Sequence, residues 1–268
     1  MKLPVEKIAE NFLEVASEQR LNILIHLNEE KISISNLAKK LDATVPEVHR
    51  NFTRLTKSGL ISKNIDGYFQ PTILGKTMIS QLPAITFISK NEKYFKNHTF
   101  GDLPTKFVHT VGSLLDSEII NGYVKVSEKW SLIYTNAEKF IKNILVEVSY
   151  SSELMEVIKD KLSKQIVIRS IFSDSTIVSS ERKNSISKMN VEKFIENDTL
   201  SRRMKKNVKI ALIMNEKEAG ICFPNDENEV DLSKMLYSSS SEFCEWCHDY
   251  FRYMWESSGS FQETKLKN

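Results

Sequence analysis

Apolar and polar residues alternate between positions 32 and 72 in a way that predicts two short helices joined by a tight turn. The first predicted helix covers residues 33–41. In the second, Val48, Phe52 and Leu55 recur at i, i+4 and i+7, which places them on one helical face. That face is expected to be buried, whereas the opposite face, which carries polar and basic side chains, is expected to meet solvent.

Local signals predict where these elements begin and end. Thr44 followed three residues later by Glu47 has the spacing of a capping box. Gly59 fits a left-handed residue just after the helix. Beyond it, two short alternating runs flank Asp66-Gly67, a strong two-residue hairpin signal. The segment therefore predicts a helix-turn-helix followed by a two-stranded wing.

Positive charge is concentrated in the same segment. Residues 33–77 hold seven Lys or Arg and three acids, an excess of +4, whereas the whole chain carries +2. Arginine can read guanine edges and lysine can hold phosphates, so the segment is a candidate for binding double-stranded DNA. The plainer alternative is a capped amphipathic helix with a solvated charged face. The candidate DNA-binding residues are Thr44, Glu47, His49, Arg50, Asn51, Thr53, Arg54, Lys57, Lys63, Asn64 and Tyr68.

The run LAKKLDATVPEVHRNFTRLTKSGLI resembles, almost position for position, the helix-turn-helix signature of archaeal and bacterial regulators of the ArsR/MarR-like type. The resemblance covers residues 1–80 and implies a winged helix-turn-helix that binds operator DNA. The departure is Val45-Pro46, where such proteins often carry Ser or Thr, which implies fewer phosphate contacts at the helix start. In such regulators the helix after the wing often pairs with a second subunit. We expect a homodimer, formed through that helix or through the C-terminal domain.

Beyond residue 117, predicted strands alternate with helices, which favours an α/β sheet covered on both faces. The expected fold is an α+β winged helix-turn-helix over residues 1–90, an α/β domain with a mixed sheet flanked by helices over 100–260, and a polar tail over 261–268. The last helix is aromatic, and we expect it to be a buried docking helix. The predicted strands are 144–148, 166–172, 208–214 and 219–223. The predicted helices are 138–143, 152–164, 191–206 and 241–257.

A second resemblance covers roughly residues 125–257. VKIALIMNEKEAGICFPNDENEVDL and FCEWCHDYFRYMWESS look like the end of the sensor domain of archaeal methanogenesis-regulator proteins. In that family a strand pair and an acidic turn lead to a terminal helix with a Trp and an aromatic pair. The resemblance implies a cytoplasmic archaeal transcription regulator, and it identifies no ligand residues.

Charge is also uneven within the C-terminal half. Residues 182–209 hold nine Lys or Arg and three acids, a net +6, while residues after 215 hold five basic and eleven acidic side chains, a net −6. The two segments could simply face each other. The sharper hypothesis is that Arg182, Arg202 and Arg203 bind an anionic small-molecule effector or flanking DNA phosphate.

Other chemistries find less support. No membrane span or signal-peptide core is expected, and three cysteines suit a reducing cytosol. We find no phosphate-binding loop, dinucleotide fingerprint or hydrolase motif, so no enzyme and no cofactor are expected. Buried structural cysteines are the default interpretation. One alternative remains a metal or redox sensor that uses Cys222, Cys244, Cys247 and His248. Another is a winged helix that contacts only protein.

Overall fold

The computed structural model describes residues 4–148, 151–189 and 191–267. Contacts divide the chain into two units between Leu82 and Pro83. The sequence expectation extended the first domain to residue 90. No helix in the described ranges is both long and apolar enough to cross a membrane.

The N-terminal unit is helical up to a small hairpin. The two predicted helices of the helix-turn-helix are confirmed as α3 and α4. Within the hairpin the strands pair antiparallel, with Ile61 opposite Pro71 and Lys63 opposite Phe69. Its elements are α1 (Val5–Val15), α2 (Glu18–Glu29), α3 (Ile34–Lys40), α4 (Val45–Lys57), β1 (Ile61–Lys63) and β2 (Phe69–Pro71).

The buried face of α4 is the predicted one. Val48, Phe52 and Leu55 expose 0–2% of their surfaces and pack in one core with residues of α2 and α3. The Phe52 ring also meets the Phe69 ring of β2 edge-on, with centroids 4.8 Å apart. Each such burial stabilises the fold by about 1.5–3 kcal/mol. The apolar stripe therefore fixes both the rotation of α4 and the position of the hairpin.

Both ends of α4 match the sequence signals. The Glu47 amide donates to Thr44 Oγ1 at 3.4 Å, and the Thr44 amide donates to Glu47 Oε2 at 2.9 Å, which completes the capping box. Gly59 has φ +75°, so it ends the helix in the left-handed conformation that favours glycine.

The predicted length of the hairpin loop was wrong: the loop has three residues and not two. The Asn64 amide donates to the Tyr68 carbonyl at 2.8 Å, and the Gly67 amide donates to the Asn64 carbonyl at 3.0 Å, which leaves a three-residue loop. Gly67 takes φ +82°. A turn closed in this way and followed by a left-handed glycine is a common three-residue hairpin loop, and it absorbs the extra residue without breaking strand register.

The second unit begins inside helix α5 (Ile73–Lys90) and holds the remaining elements. Two short 3-10 turns cover Val111–Leu114 and Glu263–Lys265. The helices after α5 are α6 (Glu92–Phe95), α7 (Thr105–Val108), α8 (Tyr123–Asn136), α9 (Ser152–Ser163), α10 (Ser180–Lys188), α11 (Glu192–Glu196) and α12 (Ser241–Glu256). The strands are β3 (Glu118–Asn121), β4 (Phe140–Val148), β5 (Val167–Val178), β6 (Leu200–Lys205), β7 (Ala211–Met214), β8 (Ala219–Cys222), β9 (Lys234–Ser238) and β10 (Gly259–Ser260).

These strands form one mixed sheet, as predicted, in the order β10-β6-β5-β4-β7-β8-β9-β3. The pairs β4–β5 and β5–β6 are parallel, and the other neighbours are antiparallel. Successive residues of β7 alternate between two cores: Leu212 lies in the one that contains α12, and Ile213 in the one that contains α8 and α9. The sheet is therefore covered on both faces.

The aromatic C-terminal helix is a buried docking helix, as predicted. Phe243, Trp246, Tyr250 and Met254 expose 0–4% of their surfaces within the first core. Trp246 Nε1 donates to Thr110 Oγ1 at 3.1 Å, which satisfies the buried indole donor.

Two helix predictions in this unit were wrong. Residues 138–143 were expected to be helical, but Phe140–Val148 is strand β4, and the helix before it is α8. Residues 191–206 split into the short helix α11 and strand β6. In both places pairing with β5, which is distant in sequence, overrides the local preference.

The expected polar tail also differs from the structure. Residues of β10 pair with Met204 and Arg203 of β6. The Val178 amide donates to the Lys267 carbonyl, and the Lys267 amide to the Thr176 carbonyl, both at 3.0 Å. Phe261 and Leu266 pack against a small apolar cluster at this end of the sheet. The C-terminal segment is therefore part of the domain.

A nearly buried histidine joins the segment after α6 to the loop before β9. His98 Nε2 lies 2.9 Å from Asp231 Oδ2, and His98 Nδ1 lies 2.8 Å from the Tyr94 carbonyl. Partial burial acts to raise the pKa of Asp231. Hydrogen bonds from Ser233 and His98, together with the charge of His98, have the larger combined effect, so the pKa of Asp231 lies below its ordinary value.

We expect Asp231→Asn to lower the free energy of unfolding of this unit by about 1–3 kcal/mol at pH 7, because it removes a charged acceptor from a buried partner. Because the folded-state pKa of Asp231 is depressed, its contribution is present above the unfolded pKa and is lost as the pH falls through the folded pKa. Thermal melting across this range measures the difference. The control is Asp226→Asn, an exposed acid nearby. Equal melting temperatures for the Asp231 and Asp226 variants at pH 7 would contradict the assignment.

Candidate nucleic-acid interface and C-terminal arginine cavity

The outer face of α4 is cationic and exposed. Arg50, Arg54 and Lys57 are all exposed, and they lie on the side opposite the buried stripe. His49 and Thr53 are exposed between them. The face therefore presents cations and short polar groups at helical spacing, which is the chemistry required to contact phosphates and base edges.

Arg54 is held by a carboxylate of α1. Its Nη2 lies 2.8 Å from Glu14 Oε1, and its Nε lies 3.1 Å from Glu14 Oε2. This bidentate pair lowers the pKa of Glu14 and raises the pKa of Arg54, mainly through the side-chain hydrogen bond. Arg20 Nε lies 3.6 Å from the same carboxylate. Any DNA group that binds Arg54 must compete with Glu14.

Arg50 is different. No carboxylate in the described part of the chain comes within the 4.0 Å limit of an ion pair with Arg50 or Lys57. Their charges are therefore available to an external partner. Of the two arginines on this helix, Arg50 is therefore the one whose charge is not already paired with a carboxylate.

Several candidate residues have structural roles. Thr44 and Glu47 bind each other in the capping box, and Asn51 donates to Gln19 of α2. Asn64 Oδ1 accepts from the amides of Asp66 and Tyr68, so it shapes the hairpin loop.

The hairpin presents its own outer surface. The Lys63 ammonium lies 5.1 Å from the centroid of the Phe69 ring, and Tyr68 is 45% exposed. Ile65 at the loop tip is fully exposed. Neither Ile65 nor Glu14 was among the predicted site residues. Ile65 could have been found, because it is an apolar residue directly beside the predicted Asp66-Gly67 turn. Glu14 could not, because no local pattern links it to α4.

The three arginines of the C-terminal hypothesis do not lie together. Arg182 of α10 and Arg202 of β6 line the same cavity, which opens to solvent. Arg203, the next residue on the strand, points to the other face. There its Nη1 donates to the Trp255 carbonyl at 2.7 Å, and its guanidinium lies 4.6 Å from the Trp255 ring centroid.

Arg182 is buried without a full set of partners. It exposes 7% of its surface, and none of the residues that the structure describes offers a hydrogen-bond partner to its Nη1 atom. Burial lowers the pKa of Arg182. The charge that Tyr134 carries when ionised acts in the opposite direction and raises that pKa, but burial is the larger effect. A guanidinium in this position favours an acceptor that fills the cavity.

Cys222 is separated by the sheet from Cys244 and Cys247, which lie three residues apart on α12. Cys222 lies in the core on the α8 and α9 face of the sheet, and Cys247 in the core on the α12 face. Burial raises the pKa of all three thiols, that of Cys244 to about 11. Within the described residues no cluster of His, Cys, Asp and Glu could hold a metal ion. Burial, followed by the charge of Lys142, lowers the pKa of His248. The raised thiol pKa values disfavour a redox switch, and the separation of Cys222 from the other two cysteines disfavours one metal site built from all three.

Two family models match separate parts of the chain. Residues 135–257, a little under half of the chain, match the middle domain of the methanogenesis regulatory protein FilR1. Residues 15–74 match the family named HVO_A0114. No curated relative matches the chain.

Solved structures show a distant likeness. TrmBL2, described as an archaeal chromatin protein with a novel mode of DNA binding, is 10% identical over 96% of this chain and 98% of its own, with a TM-score of 0.42. The phospholipase D family member Nuc from Salmonella typhimurium is 11% identical over 55% of this chain and 100% of its own, with a TM-score of 0.39. NucT from Helicobacter pylori is 12% identical over 55% and 99%, with a TM-score of 0.40. At these values the likeness carries no inference about function.

Thiol modification distinguishes structural from functional cysteines. We expect Cys244 alone to react with a disulfide reagent in the native protein, about tenfold or more slowly than free cysteine, because its raised pKa leaves little thiolate. Absorbance at pH 7.5 follows the reaction, with Cys244→Ser as the matched control. Fast modification of Cys222 or Cys247, or zinc retained in stoichiometric amount, would restore the sensor alternative.

Proposed function

We propose that this chain is a DNA-binding transcription regulator rather than an enzyme. Its N-terminal unit acts as a winged helix-turn-helix, and its C-terminal α/β unit regulates it. The observation that carries the proposal is that α4 is amphipathic: the side chains of its apolar stripe expose at most 2% of their surfaces, and its cations face outward. A charged helix face alone is common. Here it follows a capped, tightly connected helix pair and precedes a two-stranded hairpin.

In this proposal α4 enters the major groove of operator DNA. The unpaired Arg50 reads a base edge, and Lys57 at the end of the helix contacts the backbone. The hairpin acts as the wing, with Lys63 contacting phosphate and Tyr68 beside it. Arg54 either exchanges Glu14 for DNA or remains a support for α1.

The match of residues 135–257 to the FilR1 middle domain supports a regulatory role, because FilR1 is described as a methanogenesis regulatory protein. A domain of a regulator next to a helix-turn-helix is the arrangement expected when one part of a chain senses and the other binds DNA. The proposal assigns sensing to the C-terminal unit.

We also propose that the protein acts as a homodimer. Helix α1 carries Val5, Ile8, Phe12 and Val15 at alternating spacings of three and four residues, and none of its residues is buried. Val5 and Phe12 expose 69% and 57% of their surfaces. A repeat of this spacing suits pairing with a second copy of the same helix. Exposed Ile73 and Ile85 offer a similar surface on α5, the helix after the wing.

Arg50→Ala tests the base contact. It should weaken binding by about 1–3 kcal/mol and relax discrimination at one base pair, whereas Lys63→Ala should weaken all sequences alike and reduce the salt slope by about 1. Fluorescence anisotropy, with a fragment selected by sequencing DNA bound to the purified protein, measures both effects. Arg252→Ala, an exposed arginine of α12, is the matched control. Absence of binding at low salt would instead favour a winged helix that contacts only protein.

Phe12→Glu tests the dimer. A charge in the apolar stripe of α1 should shift the protein to a monomer in multi-angle light scattering and lower its apparent affinity for a two-site fragment about tenfold or more. Glu10→Gln, which lies outside the apolar stripe of the same helix, should leave both the oligomeric state and the affinity unchanged. A dimer that persists in the Phe12 variant would place the interface elsewhere, with Ile85→Glu of α5 as the next variant to examine.

A further inference from the structure

The cavity that holds Arg182 has mostly apolar walls. It lies among α9, α10 and the parallel strands β5 and β6, and the C-terminal segment borders it. Apolar side chains of α9, β5 and the C-terminal segment line it: Ile158, Leu162, Ile168, Phe172, Phe261 and Leu266.

The polar groups of this cavity carry a positive excess. Arg182, Lys183 and Arg202 line it, and Glu263 is the acid among its described lining residues. Glu263 does not come within 4.0 Å of either arginine to form an ion pair. Arg202 is instead stacked on Phe261, with its guanidinium 4.4 Å from the ring centroid.

The decisive observation is the unsatisfied donor on Arg182. A buried donor without a partner destabilises the folded protein, and more so when the donor is charged. Tyr134, whose hydroxyl accepts from Asn143 Nδ2 at 2.7 Å, lines the same cavity and has its own proton to donate. The cavity thus presents a guanidinium donor and a hydroxyl donor beside apolar walls.

We propose that this cavity binds a small amphipathic carboxylate, with the carboxylate on Arg182 and Tyr134 and the apolar body between α9 and the C-terminal segment. Guanidinium and carboxylate match as parallel donors and acceptors. A phosphate dianion would bring more charge into this interior than Arg182 offsets, because Lys183 and Arg202 are only partly buried. That the ligand regulates DNA binding rests on the proposed function; that it binds does not.

Calorimetric titration of the full chain tests the binding, with octanoate as the probe. Octanoate should bind, and octanol, which has the same apolar body without the charge, should bind at least tenfold more weakly. Octyl phosphate should also be weaker than octanoate. Equal binding of octanoate and octanol, no binding of octanoate at millimolar concentration, or preference for the phosphate would each overturn the proposal.

Arg182→Met keeps a flexible, unbranched side chain at this position and removes the charged guanidinium. It should weaken octanoate at least tenfold and should raise the melting temperature of the unliganded protein, because it removes a buried unpaired charge. Arg252→Met is the control. If Arg182→Met fails to fold, Ile186→Trp at the cavity wall replaces it and should exclude octanoate by filling the space. Octanoate binding that survives these changes would refute the site.

The regulatory role has a separate readout. With octanoate at saturation, affinity for the selected DNA fragment should change at least severalfold in the wild-type chain and not in Arg182→Met. Unchanged affinity together with retained octanoate binding would refute the regulatory role alone. Failure to bind any DNA would refute the proposed function, and the calorimetry would still decide whether the cavity binds carboxylates.

Discussion

Burial of the apolar stripe of α4 is the constraint on which the N-terminal unit depends. Val48, Phe52 and Leu55 together contribute several kcal/mol through burial, at about 1.5–3 kcal/mol for each side chain. The exposed cations on the other face contribute much less to the fold, because surface charges are screened by water and salt. The apolar side therefore decides how the helix is rotated, and the cations point outward as a consequence.

An alternation of a different kind organises the C-terminal unit. Successive strand residues face opposite sides of the sheet, so two cores form from one set of strands. The same rule separates Arg202 from Arg203: the first joins Arg182 in a cavity, and the second binds the end of α12. Residues adjacent in sequence thus serve different surfaces, and on the first of them Arg182 Nη1 has no hydrogen-bond partner among the described residues.

Much of the N-terminal unit could be predicted from sequence because its signals are local. The cap at Thr44, the apolar spacing of α4 and the left-handed Gly59 each lie within a few residues of the feature that they determine. The aromatic stripe of α12 was predictable for the same reason. The wing was one residue longer than expected, since two kinds of loop accept the same Asp-Gly pair.

The other failures share one cause, which is contact between residues distant in sequence. Phe140–Val148 becomes a strand because β5 and β7 lie on either side of it. The C-terminal segment joins the domain through the main chain of β5 and β6. Glu14 pairs with Arg54 from α1, and no local pattern of residues predicts that α1 lies beside α4. Charge and residue type alone could not show which predicted site residues are unpaired cations, which are paired and which have structural roles. That distinction needed the fold.

Affinity cleavage gives the most direct measurement of whether the outer face of α4 meets DNA. An iron chelate attached at position 57 through Lys57→Cys, in a Cys244→Ser background, would generate radicals within reach of the groove. The account predicts cleavage of the bound fragment at two positions about one helical turn, roughly 10 base pairs, apart. The same chelate at position 252 should leave the DNA intact. Bound DNA that is uncut from position 57 but cut from position 252 would contradict the account.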